Sequence, residues 1–237
     1  MGGEMESMHP RNQLDRVVCQ LRFPAKLQVD REVYRFQDMI DGEYPNFARE
    51  KIMESPLLGA PSDGGYEFSS ADGGWKVYVS LGSLSLTTSN YTSWDEFEER
   101  FKVVFAAFQS VFPIQVFNRV GLRYINAIRP SMIGADVGWV DILQPPFSTM
   151  YEMNLGKVKG INAVVDYDMG EGITGRTIVG SIVFSDGENG ILVDDDVYVM
   201  GDLRIVDVSA AISKLNAASK DVFRAVTTER LQKEVGL

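Results

Sequence analysis

The sequence predicts an α+β protein, a large and mostly antiparallel curved sheet with helices packed on one face. Three observations predict it. Period-two segments joined by glycine-rich turns recur along most of the chain. Three amphipathic segments, at about 31–43, 94–112 and 207–225, each bear the single apolar stripe that a helix on a sheet requires. Strands and helices do not follow a strict β-α-β order, which argues against a parallel sheet covered on both faces.

The elements follow in chain order. Residues 1–13 are polar and without period, and read as a disordered leader; 14–237 read as a single domain. Val17, Cys19, Leu21 and Phe23 alternate with Val18, Gln20 and Arg22, giving a strand that Pro24 stops. Asp30 is placed to cap a helix with Val33, Phe36 and Ile40 on one side. Gly64-Gly65 and Asp72-Gly73-Gly74 punctuate a meander of Tyr66–Ser69, Trp75–Leu81 and Leu84–Thr88. Ser93-Trp94-Asp95-Glu96 is a capping box, and Phe97, Phe101, Val104, Phe105 and Phe108 follow at helical steps. Val116–Ala127 reads as a long strand, and a looser proline-containing stretch joins it to a strand-rich region at 148–200. There Met169-Gly170-Glu171-Gly172 and Asp186-Gly187-Glu188-Asn189-Gly190 are turns, and Asp207 is placed to cap the last helix. Residues 66–112 and 174–225 both run turn, hairpin, capped helix, which suggests an architectural duplication with halves at 14–128 and 148–237.

Charge narrows the partners. The chain has 23 Lys+Arg against 33 Asp+Glu, a net charge of −10 over 237 residues. Proteins that bind duplexes or anionic membranes neutralise phosphates with clustered cations, and no such cluster is present in the sequence. Its apolar runs fall well short of the ~20 residues that span a bilayer. One cysteine, Cys19, forms no internal disulfide, and Met1–Gln13 shows no apolar signal core. These features predict a cytoplasmic protein.

The block from Tyr91 through Trp94-Asp-Glu-Phe97 to Arg119-Val-Gly-Leu-Arg123-Tyr-Ile-Asn126 resembles a sporadically distributed bacterial family of uncharacterised proteins. That family is marked by a tryptophan-started helix and an R-x-G-L-R-Y-I-N strand. The resemblance implies a bacterial or phage origin and a single-unit architecture over roughly residues 15–230, and it implies no reaction.

Chemistry is bounded first by exclusion. His9 is the single histidine and lies in the leader, so a Ser/His or Cys/His nucleophile has no base within the folded part. Zinc sites need several Cys or His ligands. The sequence contains neither a G-x-x-x-x-G-K-[ST] loop nor a G-x-G-x-x-G after a strand. Three features remain, of which the aromatic pairs Trp75/Tyr78 and Tyr91/Trp94 are expected to fill the core rather than mark an interface; the other two are polar. Arg119 and Arg123 project from one face of one strand with Gly121 between them, their Cβ atoms ~13 Å apart. The glycine admits close approach to the backbone. The three are expected either to bind a carboxylate or phosphate or to pair with acidic residues on neighbouring strands. Asp166 and Asp168 share one side of a strand, and Asp194-Asp195-Asp196 follows in the next hairpin. Asp166, Asp168 and Asp195 are candidate Mg²⁺ ligands. The competing expectation is a charged edge strand that blocks edge-to-edge pairing, with these carboxylates answering the arginines. The leading expectation is a non-catalytic binding or interaction protein without a cofactor, whose partner is a protein, a second copy of the chain included, or a small anion. The alternative is a divalent-metal-dependent enzyme, Mg²⁺ being the candidate cofactor, acting on a phosphate-bearing substrate.

Overall fold

The computed structural model describes residues 14–50, 64–134, 137–156 and 158–235. The leader with His9 lies outside the described residues. Among the described residues, nine strands form one sheet: β1 (Leu14–Arg22), β2 (Asn46–Glu50), β3 (Gly65–Ser69), β4 (Trp75–Ser80), β5 (Ser83–Thr88), β6 (Val116–Ile128), β7 (Asn162–Gly170), β8 (Ile173–Val183) and β9 (Asn189–Arg204). Their spatial order is β2-β3-β4-β5-β1-β6-β9-β8-β7, and each pairing is antiparallel. The predicted α+β class is correct. The sheet is open and uncurled, with β2 and β7 as edges, where the sequence suggested a curved one.

The strand path repeats. β1 is followed by helix α1 (Gln28–Ile40), a meander that starts at one edge and returns through β4 to β5 beside β1, and helix α2 (Trp94–Val111). β6 is followed by the short helix α3 (Phe147–Tyr151), a meander from the opposite edge through β8 to β9 beside β6, and helix α4 (Val208–Val226). A last helix, α5 (Glu229–Glu234), ends the described chain. In this repeat β6 opens the second unit, and the two units meet where β1 pairs with β6.

The core lies between the sheet and the helices. Val17, Cys19 and Leu21 on β1, Val77 and Val79 on β4, Leu84 and Leu86 on β5, and Val120 and Leu122 on β6 are buried on the helix-facing side. Phe36 of α1 meets Phe68 and Phe108 edge-on, with ring centroids 5.8 and 6.0 Å away. Phe105 of α2 lies 5.8 Å from Phe117 of β6, and α4 covers β6 and β9. Such aromatic contacts add ~0.5–1.5 kcal/mol each beyond area burial.

Local signals explain the ends. Ser93 Oγ accepts from the Glu96 N–H at 3.2 Å, as the capping box predicts. The Glu96 carboxylate, however, accepts from the Thr92 hydroxyl and from Arg100 rather than reaching back to the cap. Asp30 is not the α1 cap: it lies inside the first turn and accepts from the Tyr66 hydroxyl at 3.0 Å. Asp207 stands at the cap position of α4 with helical backbone angles, and its carboxylate accepts from Arg204 instead. The β7–β8 connection is a two-residue turn in which Glu171 and Gly172 have φ of 52° and 76°. Positive φ at both central residues matches the twist of a hairpin.

Phe36→Ala should lower stability by ~3–5 kcal/mol, the range for deleting a buried phenylalanine. Urea unfolding read by circular dichroism checks this, with the midpoint falling and the slope unchanged.

Candidate functional site

Side chains alternate along a strand, so β6 and β9 each serve two surfaces. Val120, Leu122, Tyr124 and Asn126 turn to the helices. Arg119, Gly121 and Arg123 turn to the opposite face. Register extends the separation across the sheet. Val18 lies opposite Arg123, Arg123 opposite Asp196, Asp196 opposite Arg176, and Arg176 opposite Asp166. Helices cover one face, whereas the other carries, between apolar positions such as Val18, Ile125 and Ile178, a lattice of arginines and carboxylates bordered by Gln20, Arg22, Ser83 and Tyr198.

Within that lattice the Arg119 side chain lies flat across Gly121. A Cβ added at Gly121 would fall 2.3 Å from Arg119 Nη1 and 2.7 Å from its Cζ. The guanidinium rests 4.5 Å over the Tyr198 ring, a cation–π contact. Its Nη2 donates to both oxygens of Asp196 at 2.7 and 2.8 Å, and its Nη1 donates to Gln20 Oε1 at 3.4 Å. Arg123 donates from Nε and Nη2 to the two oxygens of Asp194 at 2.7 and 2.6 Å. The Arg123 guanidinium is raised above its ordinary value by that hydrogen-bonded carboxylate. Arg176 holds Asp166 in the same forked way, at 2.6 and 3.2 Å, and its guanidinium keeps the Asp166 carboxyl below the usual range. Of the groups singled out in the sequence, Arg119 and Arg123 are thus answered by Asp196 and Asp194, whereas Asp166 is answered by Arg176.

Arg22 is a further cation of this face that sequence reasoning passed over. It stands opposite Arg119 in register, and its Nε donates to Gln20 Oε1 at 2.8 Å. Partial burial and the Arg119 charge hold its guanidinium below the ordinary value. The signal was available: Arg22 shares the parity of Gln20 and Val18 on β1, but its opposition to Arg119 depends on a pairing that no local pattern specifies.

The three candidate metal ligands do not converge. Asp166 faces the lattice and is held by Arg176, and Asp168 Oδ1 accepts from the Gly170 N–H at 2.8 Å. Asp195 alternates with Asp194 and Asp196 and so points to the helix-covered face, where it is 1% exposed. The reason is the two-residue period of a strand: adjacent aspartates cannot serve one face. Among the described residues, no group of three or more His, Cys, Asp or Glu side chains is arranged to hold a metal.

Asp195 belongs to a different network. Tyr167 and Thr177 hydroxyls lie 2.8 Å apart, and Thr177 donates to Asp195 Oδ1 at 2.6 Å. Its Oδ2 is buried without a hydrogen-bond partner. Burial pushes the Asp195 carboxyl up to about 7, and the nearby Asp194 charge adds to the rise. In the same layer Tyr124 donates to Asn216 Oδ1 of α4 at 2.9 Å. Cys19 is fully buried, and burial pushes its thiol far above the range of a reactive thiolate.

No protein-family model and no curated protein matches this chain. Among the described residues, no helix is long and apolar enough to cross a membrane.

Gly121→Ala should push Arg119 off its seat and cost ~1–3 kcal/mol, the worth of hydrogen bonds to charged groups. Urea unfolding checks it, and the loss should shrink when Arg119→Gln and Asp196→Asn are already in place. Asp195→Asn isolates the buried carboxyl. Its native value of about 7 lies above the ~3.9 of an unfolded aspartate, so its contribution to stability is complete below pH ~4 and falls away as pH rises to 7. The variant should therefore be more stable than wild type at pH 8, by on the order of a few kcal/mol, with the gap closing toward pH 4. Equal gaps at both pH values in denaturant titrations would refute this.

Proposed function

We propose that this chain is a non-catalytic binding protein that receives an anionic ligand on the face of its sheet opposite the described helices. The lattice around Arg119 carries this reading. Arg123 and Arg176 are raised by their hydrogen-bonded carboxylates, and Asp166 is lowered by Arg176. A general acid or base works best with a value near the operating pH and within reach of substrate. The carboxyl that approaches that value, Asp195, is buried on the opposite face. What this face offers instead is the Arg22 guanidinium, which makes no ion pair among the described residues, beside tyrosine rings and hydroxyls, a set suited to recognising anions. A cytoplasmic setting belongs to the same reading and is supported by the unpaired, buried Cys19 thiol.

A thermal-shift panel of phosphate, sulfate, carboxylates and nucleotides at constant ionic strength tests it. At least one anion should raise the Tm of wild type, because a ligand that binds only the native state stabilises it. The charge-neutral swap Arg119→Gln/Asp196→Asn should fold with an unchanged circular dichroism spectrum and lose the response. Wild type that responds to none of them, or equal responses in the two proteins, would overturn the reading.

A further inference from the structure

We propose that Arg22, Arg119 and Gln20 form a seat for a carboxylate group of a small ligand, on the open face where β1 pairs with β6. This deepens the reading above by naming the ligand class and the residues that hold it.

Register is the first support. Arg22 and Arg119 are directly opposed across an antiparallel pair. At such positions Cβ atoms lie ~4.5–5.5 Å apart, and like charges are unfavourable. Arg119 is neutralised by Asp196. Arg22 makes no ion pair with a carboxylate among the described residues, although the Asp196 charge reaches it at a distance.

The second support is what occupies the acceptor position between the two cations. Gln20 Oε1 accepts from Arg22 Nε at 2.8 Å and from Arg119 Nη1 at 3.4 Å. A neutral amide oxygen thus stands where the rest of this face uses a carboxylate. Asp196, Asp194 and Asp166 each hold an arginine through both oxygens. Arg22 Nη1 and Nη2 make no hydrogen bond among the described residues, so one edge of its fork remains open. Ser83 lies opposite Arg22 on β5, and its hydroxyl is 2.8 Å from that of Ser80. Ser83 therefore places a hydroxyl on the strand next to Arg22.

Charge selects the ligand. Two guanidiniums against the single Asp196 carboxylate leave one unit of positive charge, which a monoanion balances. A dianionic phosphate would bring a second negative charge next to Asp196. A planar carboxylate also repeats the fork geometry of the Arg123–Asp194 pair on the next strand. Arg16, also on β1, is opposed by Ile125 rather than by a second guanidinium, and so serves as the control position.

The experiment uses acetate and benzoate as probes, with chloride and inorganic phosphate at matched ionic strength, and reads Tm and the arginine Nε–Hε resonances of the full chain. Wild type should gain about 2–5 °C with a carboxylate at ten times its dissociation constant and less with phosphate. The Arg22 and Arg119 resonances should move. Arg22→Gln should fold and lose the shift, and Arg16→Gln should keep it. Gln20→Glu supplies the carboxylate from the chain itself, so it should raise Tm without ligand and abolish the response to benzoate. The site is refuted if Arg22→Gln responds like wild type, if phosphate outdoes both carboxylates, or if Gln20→Glu still responds. Loss of a phosphate or nucleotide response in Arg119→Gln/Asp196→Asn but not in Arg22→Gln would refute this seat and leave the broader reading standing. Wild type that responds to none of the anions would remove both.

Discussion

The missing side chain at Gly121 is the constraint on which the open face depends. Only there can the Arg119 guanidinium lie against the backbone, with its carbon less than a van der Waals distance from where a Cβ would stand. Lying flat, it reaches back along the strand to Asp196, covers the Tyr198 ring and meets Gln20 in one plane. An arginine standing upright would satisfy none of these at once. The pairs that result are worth little compared with apolar packing, yet breaking one is costly, because the surviving partner is left half-desolvated. They therefore act mainly to fix the geometry of the surface.

The same device recurs. The Tyr78 ring lies over Gly65, Tyr167 over Gly175, and Phe184 over Gly190. In each case a flat side chain fills the space that a glycine leaves on its own face, much as aromatic residues rescue glycines in designed sheets. Tyr167 does so on the helix-covered side, which sets its hydroxyl beside Thr177 and joins the edge strand to the buried Asp195. β7 itself bears the charged Asp166 and Asp168 expected of a strand that must resist pairing with another edge.

The helices and strands were legible because each is a local pattern read out by burial. The aromatic steps from Phe97 to Phe108 gave α2 within a residue of its observed ends, and alternation from Val116 gave β6. The short β2 was not legible, since Asn46–Glu50 is an edge segment with no alternating apolar face. The caps at Asp30 and Asp207 failed for a related reason. Each aspartate has a competing partner, the Tyr66 hydroxyl and Arg204, and for Asp30 that partner comes from a distant strand.

For the site, local parity alone placed Arg119, Gly121 and Arg123 on one face and Tyr124 and Asn126 on the other, and it also separates Asp195 from its two neighbours. Those are consequences of strand geometry and are the same in any sheet that contains these segments. Which strand lies beside which was settled only by the tertiary structure, and with it the opposition of Arg22 to Arg119 and the pairing of each arginine with its aspartate. Pairing depends on contacts between segments distant in the chain, such as the 99 residues that separate Gln20 from Arg119, and on helices that must bury one face completely before the other face is defined.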